Sequence, residues 1–231
     1  MINTWNESLL HEELKRHYCG DAGQTEVPLE GSICDVLCGD GTVVEIQIAQ
    51  LGKLRKKLDR LLLHHRVKLV HPVARNKFLE TRTRGGRLKS RRKSPKHDTV
   101  YRVFAELTGL WSLLGHPGLE LEVVFADILE TRVADGTGSW RRKGVRIEDR
   151  SLMQIHGTET FRTLEDWAGL LPASLPDEFT VKELAAAGAG IHAGKMAWTL
   201  RKACVLELCG KRGNQFVYRQ ASRTSTLSAR P

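Results

Sequence analysis

The stretch "ICDVLCGDGTVVEIQ", residues 33–47, sets two acids and an amide, Asp35, Glu45 and Gln47, among Val, Ile, Leu and Cys. It reads as two strands joined at Gly39-Asp40-Gly41. A two-residue loop pairs positions whose numbers sum to 81, and a three-residue loop centred on Asp40 pairs positions summing to 80. The second choice puts Cys34, Val36, Cys38, Thr42, Val44, Ile46 and Ile48 on one face; the first mixes them with Asp35, Leu37, Glu45 and Gln47. A one-residue slip flips the faces of a strand, so burial selects the 80 register. Flanking glycines suit a three-residue turn with a left-handed residue. Asp35 then stands directly across from Glu45 on one face, with Gln47 two residues on. Like charges directly opposite each other destabilise a sheet. Two readings answer this. A divalent cation sits between the carboxylates, whose hard oxygens suit Mg²⁺ or Mn²⁺; or both acids lie on a solvated face without metal.

The elements around the hairpin have to position these groups. Residues 4–18 read as a helix capped by Asn6 or Thr4. Leu10, Leu14, His17 and Tyr18 form one stripe of it, Glu7 falls on the same stripe, Glu12 points away and Glu13 lies at the edge. "TEVPLEG" reads as a short strand. After the hairpin, "LGKLRKKLDRLLLHH" is an amphipathic helix with Leu51, Leu54, Leu58, Leu61 and Leu62 on one side and Lys53, Lys56, Lys57 and Arg60 on the other. "RVKLVHPVA" reads as a buried strand. Strand, helix, strand is a crossover unit, which makes this strand parallel to "TVVEIQI".

A helix bearing Glu7, then Asp35, then Glu45-Ile46-Gln47, then helix and strand, resembles the PD-(D/E)XK nuclease superfamily over roughly residues 1–75. The resemblance implies a central mixed sheet with a helix on each side, and phosphodiester hydrolysis with Mg²⁺ or Mn²⁺. It implies Glu7, Asp35 and Glu45 as metal ligands and Gln47 in the place of the motif's lysine. Gln47 departs from the commonest pattern, because an amide carries no positive charge to the transition state. It can orient the attacking water. Lys53, Lys57 and Lys77 are the candidates to supply the charge.

The chain carries a formal net charge of +9. Arg75–Lys96 holds ten Lys or Arg and one acid, Glu80, a surplus of nine that equals the charge of the whole chain. A solvated, partly disordered loop is one reading of this run. A polyanion partner, DNA first, is the other, through Arg82, Arg84, Arg87, Lys89, Arg91, Arg92, Lys93 and Lys96. "DTVYRVFAELTGLWSLLGH" follows with helical spacing, ended by Gly115 and Pro117. "LELEVVFADILETRV" and "SLMQIHGTETF" read as strands. The loop between them, with Trp140, Arg141, Arg142 and Lys143, is either a second backbone contact or a polar hairpin tip.

"LLPASLPDEF" marks a boundary. Beyond it come a helix from a Thr180 cap through Ala187, a turn at Gly188 and Gly190, a second helix near Ala193–Ala203, and a hairpin around Lys211–Asn214. With the weaker helix near Leu164–Leu170, this order resembles a winged-helix domain. The resemblance implies DNA contacts from His192, Lys195, Thr199, Arg201 and Lys202 on the second helix, which would enter the major groove. Lys211 and Arg212 at the wing tip suit phosphate. A winged helix used for protein contact or scaffolding is the other reading.

An odd count of five cysteines reads as free thiols in a reducing compartment, and Cys34, Cys38, Cys204 and Cys209, without CxxC spacing, read as buried apolar thiols. No Walker loop, GxGxxG or GxSxG occurs. No apolar run approaches the ~20 residues that span a bilayer, and the N-terminal residues lack a signal-peptide pattern. A cytoplasmic protein is expected, away from membranes. The fold expected is an α/β (α+β) restriction-endonuclease-like core, a central mixed sheet flanked by helices, over 1–160 with a basic insertion at 75–97. A small winged-helix domain at 161–221 and a flexible tail at 222–231 follow. The function expected is a Mg²⁺-dependent DNA endonuclease, or a non-catalytic DNA-binding protein with a degenerate nuclease core; a homodimer stays open.

Overall fold

The computed structural model describes residues 8–222. Its architecture is mixed α+β, a large central mixed sheet flanked by helices. In chain order it runs α1 (Leu9–Cys19), β1 (Gln24–Leu29), β2 (Ser32–Leu37), β3 (Val43–Ile46), α2 (Arg55–Leu61), β4 (Val67–Thr83), β5 (Leu88–Lys93), β6 (Leu119–Ala134) and β7 (Val145–Phe161). Then come α3 (Leu164–Ala168), β8 (Phe179–Thr180), α4 (Val181–Leu184), α5 (Ala193–Lys202), β9 (Leu206–Arg212) and β10 (Gln215–Gln220). Among the described residues a seven-stranded sheet has the order β1-β2-β3-β4-β6-β7, with β5 paired to β4, and a three-stranded sheet has the order β8-β10-β9.

The chain groups into two compact units. One holds the segment ending at Ile48, Leu69–Thr99 and Val123–Glu159; the other holds Ala49–Lys68, Val100–Glu122 and the segment from Thr160 on. Residues 49–68 and 100–122, which the sequence reading keeps with the first 160, group instead with the C-terminal residues.

In the first unit the hairpin has the 80 register: Val36 pairs with Val44 and Leu37 with Val43. The Cys38 N–H donates to the Thr42 carbonyl and the Gly41 N–H to the Cys38 carbonyl, closing the loop around Asp40. Gly41 has φ +82°, a conformation that the missing Cβ permits. Val36, Val44 and Ile46 pack with Leu10 and Leu14 of α1 and with Val70, Val124 and Ile128, and Cys38, Ile48 and Tyr18 lie at the margin of this core. The apolar stripe of the helix and the apolar face of the hairpin are therefore two halves of one core. The helix itself starts later than the sequence suggests, at Leu9, and Ser8 is the cap that accepts from the His11 N–H. Glu13 accepts from the Leu152 N–H, and Asp149 accepts from the Leu9 N–H, so the N-terminal half of α1 is tied to β7 at two points.

Two elements differ from their sequence reading. Residues 100–113 form not one α-helix but three 3₁₀ turns, Val100–Ala105, Leu107–Gly109 and Trp111–Leu113. The cause lies at Gly109, where a Cβ would stand 2.6 Å from the Gly52 Cα, so the backbone there is shaped by close approach of another segment rather than by helix propensity. The basic segment is a strand pair, not a loop. β4 continues to Thr83, and Phe78, Leu79, Glu80 and Thr81 pair with Lys93, Arg92, Arg91 and Ser90. Leu79 and Glu80 are buried and anchor this hairpin, while every residue of β5 is exposed.

A buried carboxylate ties the strands together. Glu130 on β6, 1% exposed, meets Arg132 at 2.6 Å, Arg150 of β7 at 3.2 Å and Lys77 of β4 at 3.4 Å. Burial pushes its pKa up, but the Arg132 hydrogen bond and the Lys77, Arg132 and Arg150 contacts outweigh burial and leave it below the ordinary glutamate value. A depressed pKa gives stability that is complete above the unfolded value and fades as pH falls through the folded one. Glu130→Gln should therefore lower the melting temperature at pH 7 by roughly 5–10 °C, corresponding to about 2–3 kcal/mol for charge-assisted bonds. It should also flatten the loss of stability below pH 4. Thermal melts of both proteins from pH 7 to pH 3 check this. An unchanged melting temperature at pH 7 would show that the cations merely screen a group of no structural weight.

Candidate functional site

Asp35 and Glu45 occupy neighbouring strands one step beyond the Val36–Val44 pair. Strand alternation puts Glu45 on the face opposite the α1 core, to which Val44 and Ile46 belong, whereas the Asp35 carboxylate turns to meet His11 of α1. At this step the sheet opens to a side chain: the Ile46 N–H donates to Asp35 Oδ2 at 2.8 Å. The carboxylate therefore sits at the level of the strands. Glu45 is 1% exposed and Asp35 is half-buried. All four residues of β3 are buried, so Glu45 is not on a solvated face. The solvated-face reading of the acid pair is therefore excluded for Glu45.

Two histidines that the sequence reading left aside complete the surroundings. His11 of α1 donates from Nε2 to the Ile46 carbonyl at 2.8 Å and stands 3.3 Å from Asp35 Oδ2. A carbonyl only accepts, so this bond fixes the proton on Nε2. His71 of β4, 2% exposed, donates from Nδ1 to the Gln47 carbonyl at 2.8 Å, and the Gln47 N–H donates to the Val70 carbonyl at 2.9 Å. The backbone of Gln47 is thus held on both sides by β4. Both histidines act through backbone carbonyls, and no spacing in the sequence marks either of them.

Glu7 lies outside the described residues. Among the described residues no three His, Cys, Asp or Glu side chains converge as a metal-binding group. The chemistry of the donors present fits Mg²⁺ or Mn²⁺, with two carboxylates side by side on adjacent strands and no sulfur. Asp35 Oδ2 is already engaged by the Ile46 N–H. Lys77 pairs with Glu130 at 3.4 Å.

The expected DNA contacts divide by what the structure does with them. Arg82, Arg84, Arg87, Lys89, Arg91, Arg92, Lys93 and Lys96 are all exposed. Glu80 holds Arg82 at 2.6 Å and lies 4.0 Å from Arg91, which offsets part of the surplus charge. The pairs Lys68–Glu122, Asn76–Asp127 and Lys77–Glu130 rise together along β4 and β6, so these strands run in the same direction. The tip at Arg84–Arg87 and the tip at 135–144, with Arg141 and Arg142 exposed, therefore leave the same end of the sheet.

In the second unit, Thr180 caps α4 with Glu183 in a reciprocal capping box. α4 ends sooner than expected, at Leu184, and a π-helical turn, Ala185–Ala189, continues it. Gly188 at φ +133° and Gly190 at φ +53° make the turn into α5. Met196, Ala197 and Leu200 are buried as expected, and Lys195, Arg201 and Lys202 are exposed. His192 is half-buried. Thr199 is a correction: it is 0% exposed, on the inner side of α5, and cannot touch DNA. The buried stripe of the helix is wide enough to take in this small side chain. Trp198, 41% exposed, stands on the outer face instead, with Lys202 Nζ 5.9 Å from its ring centre. In the β9–β10 hairpin, Lys211 lies over Phe216, and Arg212 is exposed yet paired with Glu183 at 2.8 Å.

Among the described residues no helix is long and apolar enough to cross a membrane. No solved structure matches the chain. A protein of Treponema pallidum (strain Nichols), described as "Uncharacterized protein", is 36% identical over 219 residues, which are 95% of this chain and 87% of that relative. A family model described as "Domain of unknown function (DUF8091)" matches residues 8–162, a stretch that contains Asp35, Glu45, Gln47, both histidines and the basic hairpin. The chain belongs to that family.

Proposed function

We propose that this protein is a DNA-binding phosphodiesterase, a Mg²⁺- or Mn²⁺-dependent endonuclease of the PD-(D/E)XK type carrying a C-terminal winged helix. The observation that carries the reading is the order α1-β1-β2-β3-α2-β4 with sheet neighbours β1-β2-β3-β4, which sets Asp35 and Glu45 side by side on adjacent strands. Asp35, Glu45 and Glu7 would hold the ion. When bound, the ion supplies a more acidic water and neutralises charge on the transferring phosphate. Gln47, its backbone fixed by Val70 and His71, presents an amide that can orient the attacking water without titrating. His11 positions the Asp35 carboxylate.

The downstream unit supports the DNA half of the reading. Helix α3, strand β8, helices α4 and α5, then β9 and β10 in the sheet order β8-β10-β9, is the arrangement a winged helix uses. It would offer Lys195, Arg201 and Lys202 to a groove and Lys211 and Arg212 to phosphates.

A second reading, a DNA-binding protein whose nuclease core has lost activity, is favoured by the engagement of Asp35 Oδ2 with the Ile46 N–H and by the amide at position 47. Titrating Mg²⁺ or Mn²⁺ into the purified full chain with supercoiled plasmid separates the two. Nicked or linear product that appears with the ion and disappears with EDTA supports the enzyme. Plasmid retardation without cleavage on any plasmid, linear, single-stranded or branched substrate supports the second reading.

A further inference from the structure

Trp140 is 83% exposed, at the tip of the β6–β7 hairpin. Its loop is built, not loose. The Gly138 N–H donates to the Gly144 carbonyl at 3.1 Å, the Arg142 N–H to Ser139 at 2.9 Å and the Lys143 N–H to Trp140 at 3.0 Å. At its base Asp135 accepts from the Thr137 hydroxyl at 2.7 Å and pairs with Arg146 at 3.1 Å. The Thr137 hydroxyl and N–H, and then Arg146, hold the Asp135 carboxyl down to about 2, so this pin stays charged through the neutral range. A Cβ at Gly138 would fall 2.0 Å from the Val145 carbonyl oxygen, so the crossing of the loop demands glycine there. The loop thus holds an indole out from its own structure, where it contributes nothing to the core.

The neighbours of the ring are cationic. The Arg141 guanidinium carbon lies 5.7 Å from the ring centre, and Arg142 and Lys143 follow. Arg84 and Arg87 stand at the tip that leaves the same end of the sheet. An aromatic face set among cations on a fixed loop suits a base that stacks while its phosphates are neutralised. An intact duplex buries its base faces, so a solvent-facing indole gains stacking only from an unpaired base.

We propose that Trp140 is a stacking platform for an unpaired nucleobase, and that the protein's nucleic-acid substrate contains a single-stranded or distorted segment at this tip. This rests on the nucleic-acid reading above and adds to it the class of substrate. A lipid surface is the competing occupant for an exposed Trp beside cations. It is disfavoured because Trp140 is the one exposed large apolar side chain of its loop, 135–144, and membrane affinity scales with the apolar area buried.

The test compares full-length wild type, Trp140→Ala and Trp140→Phe by fluorescence anisotropy at fixed salt. The probes are a 20-nucleotide oligo-dT, a blunt duplex of the same length, and vesicles with and without anionic lipid. Trp140→Ala should weaken oligo-dT binding about five- to hundredfold, with duplex affinity within twofold of wild type, and Trp140→Phe should retain most of the affinity. The exposure of the ring makes both variants expected to fold, and circular dichroism verifies it. If wild type binds duplex and oligo-dT and Trp140→Ala binds both unchanged, this inference fails while the reading of the whole protein stands. If wild type binds neither nucleic acid, both fall. Vesicle binding lost in Trp140→Ala, with oligo-dT binding intact, overturns it in favour of a membrane contact.

Discussion

On the proposed nuclease reading, Asp35→Asn is expected to cut the Mg²⁺-dependent cleavage rate by about 10²–10³-fold, the scale on which removing one electrostatic contributor to a transition state acts. DNA affinity should hold or rise, because the substitution also removes repulsion between carboxylate and phosphate. The amide keeps an oxygen that can accept from the Ile46 N–H, so the strand opening that the aspartate fills survives. That makes loss of activity readable as loss of charge and not as collapse of the hairpin. Gln47→Lys in the same assay tests the neighbouring position. If Gln47 stands where a lysine once acted, an ammonium there adds charge stabilisation, and the rate holds or increases. If Gln47 orients water in a site built around a neutral amide, the rate falls. Cleavage by Asp35→Asn at the wild-type rate, with the same ion requirement, would move the active site away from this hairpin altogether.

The hairpin was readable in advance because only one of its two registers gathers Cys38, Val44, Ile46 and Ile48 on one side, and burial enforces that choice. The stripe of α1 was readable for the same reason. The failures share a cause of the opposite kind: they sit where a partner distant in sequence decides the local structure. Gly109 meets Gly52, so a segment with helical spacing breaks into 3₁₀ turns. Leu79 and Glu80 are buried, so a charge-rich run that resembles a loop becomes a strand hairpin. Composition alone cannot separate a basic arm from a basic loop, since the residues that decide it are two among twenty-two. Thr199 illustrates the limit of a helical wheel, which gives a side chain's direction and not what closes over it. The histidines were hidden differently. Their roles are hydrogen bonds to backbone carbonyls of Ile46 and Gln47, and no residue spacing encodes a main-chain partner.

Because the basic run is a strand, its charges are sorted by face, and this predicts an asymmetric salt response. Beyond the register shift at Lys89, alternation puts Arg91 and Lys93 on one side of β5 and Arg92 on the other. From Val70, beside the acid site, β4 runs thirteen residues to Thr83, about 40 Å at ~3.3 Å per residue. The arm tip could therefore meet phosphates about one turn of duplex away from a strand held at Asp35, since a turn is ~34–36 Å. A duplex along the arm meets one face of it. Each phosphate contact contributes about 0.9 to the slope of log affinity against log salt. Replacing Arg91 and Lys93 together by Gln should lower the magnitude of that slope by about 1.5, somewhat under two full contacts because Glu80 already offsets Arg91. Arg92→Gln alone should lower it by less than ~1. Binding titrations of the three proteins between 50 and 300 mM salt (roughly, the range over which such slopes are read) give the comparison. Equal effects per charge from both faces would mean that the run acts as a diffuse cationic cloud. No effect from either would remove the arm from the proposed interface and leave the DNA reading to rest on the C-terminal unit.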